Sequence, residues 1–89
     1  TKTQDRVTEA ADTFYDHRKK PDEEKNRTGN VFSVCIQPLW VTTSTPSKRD
    51  LTGTCLEAHE TLMKIDPANV PKFKEVAQFM AEKLRCSPE

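Results

Sequence analysis

Glycine is scarce in this chain, which holds only Gly29 and Gly53 among its 89 residues. Two isolated glycines cannot give the clustered backbone freedom that a dinucleotide fingerprint or a phosphate-cradling loop needs at its tight turn. Nucleotide-binding folds of the Rossmann and P-loop kinds are therefore excluded. Long apolar runs are missing too. The longest, Val31 to Val41, is broken by Ser33, Gln37 and Pro38 and falls short of the roughly 20 residues that span a bilayer. No membrane partner is expected, and no targeting segment is legible at Thr1.

Cysteine is also sparse. Cys35, Cys55 and Cys86 are too few and too widely spaced for a disulfide-stapled miniprotein, and an odd count leaves one thiol over. The expectation is an intracellular protein, cytoplasmic or nuclear, with all three thiols reduced and metal-free. Asn26-Arg27-Thr28 is a formal N-glycosylation acceptor, but triplets of this kind recur by chance in cytosolic chains.

There is no surplus charge, since 14 basic side chains face 14 acidic ones. Affinity for nucleic acid comes largely from phosphate neutralisation, which usually shows as a basic excess, so neutrality weakens that function class. The balance is local as well as global, with one exception. From Asn26 to Arg49 there is no Asp or Glu, while Arg27, Lys48 and Arg49 give the segment a charge of +3. An anionic partner would meet the protein there.

What is present, 34% hydrophobic and 31% charged residues, suits one small domain spanning residues 1–89 that buries only about 60% of its unfolded surface. Val7, Ala10, Ala11, Phe14 and Tyr15 recur at steps of three and four, which predicts an amphipathic helix over residues 3–20, capped by Thr3 and stopped by Pro21. Residues 21–29 read as a polar loop. From Asn30 to Ser44, Phe32, Val34 and Ile36 alternate with Ser33, Cys35 and Gln37, the period of a half-buried strand, with Pro38 placing it at an edge or between two short strands. The other reading is a short helix from Asn30 ending before Pro38, with Val31, Val34, Cys35 and Leu39 inward.

Thr42 to Arg49 reads as a proline-containing loop. Thr54-Cys55-Leu56-Glu57 has the pattern of a capping box, predicting a second helix from about Cys55 to Ile65. A third opens at Asn69 and Pro71 and carries Phe73, Val76, Ala77, Met80 and Leu84 along one stripe. The short connection makes the two an antiparallel hairpin. The expected fold is thus mainly α within a small α+β class: an N-terminal helix, an extended segment and a helical hairpin, with an all-α four-helix bundle as the alternative. Phe14, Phe32, Val34, Ile36, Leu56, Leu62, Phe73, Val76, Met80 and Leu84 are the expected core.

Chemistry is thinly signalled. Cys55 and His59 stand four residues apart on one helix face, yet no Cys-x-x-Cys pair accompanies them, and neither a metal nor another cofactor is expected. Placed at a helix start, Cys55 would have its thiolate favoured by the dipole, but no oxyanion loop or base completes a catalytic set, and no enzyme activity is expected. The reading is a non-catalytic protein-interaction module that binds a partner peptide or protein through an apolar groove with a basic rim, using Phe79, Trp40, Lys48 and Arg49. Phe79, beside the core stripe, is expected to bind the partner with little role in stability. Thr45-Pro46 is a candidate phosphorylation site that would reverse the local charge, and Ser87-Pro88 is a barer version. The alternative is a nucleic-acid-binding domain that places His17, Arg18, Lys19 and Lys20 with Lys48 and Arg49 on phosphates, Phe32 and Trp40 stacking on bases.

Overall fold

The computed structural model describes residues 2–17, 22–68 and 70–89, with side chains described at 2–15, 28–68 and 70–89. Four helices follow one another: α1 (Lys2–His17), α2 (Asp22–Thr42), α3 (Lys48–Ile65) and α4 (Phe73–Leu84). Each packs on its neighbours in sequence, and α4 closes back on α1, while among the described residues the backbones of the diagonal pairs stay apart. Side-chain pairings show the neighbours running antiparallel: Thr8 meets Ser33 and Asp12 faces Gly29, while Arg6 reaches Leu84 and Phe14 stacks on Phe79. The all-α bundle is the architecture, and among the described residues there is no sheet, only an isolated parallel bridge between Ser47 and Ser87.

The extended segment expected at 30–44, and the loop expected at 21–29, are both replaced by α2. The reason lies in packing. Phe32, Ile36 and Trp40, spaced by four, all turn inward, whereas Val34 is 65% exposed and Val31, Cys35 and Leu39 pack at the edge of the core. A strand would have buried Val34 with Phe32 and Ile36. Two flanking helices to pack against outweigh the β-branched composition. Pro38 is tolerated because it lies on the outward face, where the Val34 carbonyl deprived of its intrahelical donor can bond water. Just beyond it, the Thr42 hydroxyl donates back to the Pro38 carbonyl at 3.0 Å.

Close approach of α1 and α2 explains Gly29, since a Cβ there would stand 2.8 Å from an Asp12 carboxylate oxygen. A little further along the same seam, Gln37 Nε2 donates to Thr8 Oγ1 and Ser33 Oγ, both at 3.3 Å, and the two hydroxyls lie 3.0 Å apart. The buried Ser33 is thereby satisfied. The other glycine has no such role. A Cβ on Gly53 would meet nothing within 4 Å, and the position is exposed and helical. Gly53→Ala should therefore raise the unfolding free energy by about 0.5–1 kcal/mol, read as a higher urea midpoint at unchanged slope.

The start of α3 lies earlier than the Thr54–Glu57 pattern suggested. Ser47 is the N-cap, its hydroxyl accepting from the Asp50 amide at 3.1 Å. The Lys48 amide donates to the Ser87 carbonyl at 2.8 Å and the Arg49 amide to the Glu89 main-chain oxygen at 3.1 Å. All the free donors of the first turn are thus met, partly by the chain's last residues. Thr54 instead turns its hydroxyl back onto the Asp50 carbonyl at 3.0 Å, as a mid-helix threonine does. Helix α4 begins at Phe73, so Pro71 precedes it rather than occupying its first turn, and Arg85 ends it in the left-handed conformation at φ 54°.

Candidate functional site

Helices α3 and α4 leave a seam between them that opens into a cleft at each end. One turn of α3 after another presents Thr52, Leu56, His59 and Met63 to it, the stripe adjacent to the buried Leu51, Cys55, Ala58 and Leu62. At the α3 N-terminus the cleft encloses about 730 Å³. Ala77, Ala81 and Cys86 line it together with Lys48 from α3 and Arg85 from the end of α4, and among the described residues Glu82 is the one carboxylate lining it. Small side chains at 77 and 81 open the space. Leu56, 40% exposed, stands further along the seam, an apolar side chain that the fold leaves uncovered.

The expected site residues are placed as follows. Lys48 and Arg49 are exposed in the first turn of α3, and Lys48 lines the cleft. Trp40 is buried at 5% exposure under the Arg6 guanidinium, 6.0 Å from its ring centroid. It therefore contributes to the core and not to a binding rim, and the same burial removes Trp40 and Phe32 as stacking platforms for bases. Phe79 is half-buried on the side of α4 that faces α1, edge-on to Phe14 at 5.0 Å. It is away from the α3–α4 seam, and its contact with Phe14 makes it part of the packing, contrary to the expectation that stability would ignore it. Thr45 is exposed in the loop just before α3. Arg18, Lys19 and Lys20 lie outside the described residues, as does the side chain of His17. Arg85 was not singled out from the sequence, and Leu56, expected in the core, is instead 40% exposed because the inward face of α3 is taken by Leu51, Cys55, Ala58 and Leu62.

The cysteines depart from the nucleophile reading. Cys55 sits in the third turn of α3, fully buried, and burial pushes its thiol up to about 12, with the neighbouring Cys86 adding to the shift. The dipole effect expected of a first-turn cysteine has no purchase there. Burial also raises Cys86, opposed by the cations Lys48 and Arg6, and raises Cys35, opposed by a hydrogen bond from Thr61. His59 turns away from Cys55 toward α4, its ring 5.8 Å from that of Phe73. Among the described residues no group of three or more His, Cys, Asp or Glu side chains could hold a metal ion, and no helix is long and apolar enough to cross a membrane. Comparison of the chain with protein-family models, with curated proteins and with solved structures finds no match.

Proposed function

We propose that the chain is a non-catalytic interaction module whose cleft between the α3 N-terminus and the α4 C-terminus receives an acidic, partly apolar segment of a partner protein. The observation that carries this reading is the pair Lys48 and Arg85, which line the cleft with Ala77, Ala81 and Cys86. An apolar lining favours a side chain buried from water, and two cations against one carboxylate favour an acidic neighbour to it. Arg49, exposed beside Lys48, extends the positive field. A phosphate on the exposed Thr45 would bring about two negative charges to the same end and oppose such a partner.

The test is a titration of the labelled protein with a synthetic amphipathic helical peptide, leucine on one face and glutamate on the other. Amide shifts should concentrate at Lys48, Ala81 and Arg85, and Lys48→Glu with Arg85→Glu should weaken binding roughly tenfold or more at low salt while flattening its salt dependence. Thr45→Glu should act in the same direction more weakly. Shifts centred elsewhere, or an affinity indifferent to charge reversal, would overturn the assignment.

A further inference from the structure

The opposite end of the α3–α4 seam has a different character. There His59 and Met63 of α3 meet Val70, Lys72, Phe73 and Lys74 around a cleft of about 400 Å³. We propose that this cleft is a binding site for a small apolar carboxylate, separate from the partner cleft at the other end.

Its volume falls within the about 300 to 1,000 Å³ of ligand pockets, which are apolar with a few polar groups that fix orientation, and the cleft is broadly open to solvent. Met63, Val70 and Phe73 supply the apolar wall, and Met63 is already 39% exposed with nothing covering it. The polar groups are all of one kind. Lys72 and Lys74 line the cleft, and among the described residues no carboxylate does. His59 adds a donor. Its Nδ1 is buried without a hydrogen-bond partner, and its side chain lines the cleft. A buried Nδ1 keeps its cost lowest as a bare lone pair, which puts the proton of the neutral ring on Nε2, where it can be donated to an anion. Helix α4 starts here, with Lys72 as an N-cap that makes no side-chain cap bond, so the positive end of its dipole adds to the lysines. Two ammonium groups and a neutral imidazole donor beside an apolar wall complement an aryl or alkyl group bearing one carboxylate.

The experiment titrates the full chain with 4-phenylbutyrate and, in parallel, with the neutral 4-phenylbutyramide, following His59, Met63 and Phe73 by heteronuclear NMR. The acid should bind with Kd on the order of 1 mM, as suits a dozen-atom probe, and the amide roughly fivefold more weakly or worse. In Lys72→Gln with Lys74→Gln, both exposed positions that leave the fold intact, acid and amide should bind alike. His59→Phe should keep the apolar contact and lose part of the preference for the acid. Equal binding of acid and amide to the unaltered chain would overturn the site, as would shifts confined to Lys48 and Arg85. Lys72→Gln with Lys74→Gln should leave the peptide-induced shifts at Lys48, Ala81 and Arg85 in place, so failure at either cleft reads separately.

Discussion

Phe32→Ala should cost about 3–5 kcal/mol of unfolding free energy, while Val34→Ala, two residues on, should change it by less than about 0.5 kcal/mol. Phe32 is almost fully buried and its ring packs against Tyr15 at 5.9 Å, joining α2 to α1. Truncation removes that contact and leaves a cavity the neighbouring helices cannot close without moving. Val34 points to solvent from the same helix. The pair therefore separates a period of 3.6 from a period of 2 over this segment, because strand alternation would give both positions the same cost. Chemical denaturation of the two variants decides it, and a Val34→Ala loss comparable to that of Phe32→Ala would return the segment to an extended conformation. Since a domain of this size has only about 5–15 kcal/mol in total, Phe32→Leu serves as a milder variant if the alanine chain fails to fold.

The second large effect concerns Cys55. With its thiol pushed up to about 12 from an ordinary 9.0, the reactive thiolate at pH 8 is scarcer by about a thousandfold than on a free cysteine. Iodoacetamide should modify Cys35 and Cys86, which are partly exposed, and should reach Cys55 only when the chain opens. Mass spectrometry of peptides after a timed pulse measures this, and labelling of Cys55 at the rate of Cys86 would contradict its burial. A pH dependence follows. The unfolded chain loses this proton near pH 9 while the folded chain keeps it, so stability contributed by the neutral buried thiol is full below about pH 9 and is lost as pH rises toward 12. Cys55→Ala should flatten that part of the alkaline stability profile relative to the unaltered chain, at a cost in stability near neutrality.

The helical ends of the chain were legible because their stripes are unambiguous: Val7 to Tyr15 and Phe73 to Leu84 repeat at 3.6 residues and lie buried or half-buried as the pattern requires. The middle was not, because Phe32, Ile36 and Trp40 satisfy both periods, and only the outward Val34 distinguishes them. A helix that carries Phe32, Ile36 and Trp40 on one stripe must run through Pro38, and a proline in a pattern ordinarily argues against that. Leu51 was lost for a similar reason. It belongs to the core, but the Thr54–Glu57 pattern placed the helix start beyond it, although Ser47 and Asp50 bear the same spacing two turns earlier. The cleft itself depends on which faces of α3 and α4 meet, and that is a tertiary fact that no single stripe contains. Lys48 was recognised by its charge, whereas its counterpart Arg85 lies 37 positions away in a segment of mixed sign.

Trp40 is the only tryptophan of the chain, and its indole is sealed where α2 lies under Arg6, whose Nη2 donates to the Leu84 carbonyl at 3.3 Å across 78 positions of sequence. That placement makes the protein its own fluorophore. An indole withdrawn from water emits at shorter wavelength and resists aqueous quenchers, and both properties vanish when the seal opens. The seal is held by the first and last helices together, the contact with the greatest loop-closure cost in the bundle. Emission from this single residue thus reports on whether the ring of four helices is closed, without a label and without touching either cleft.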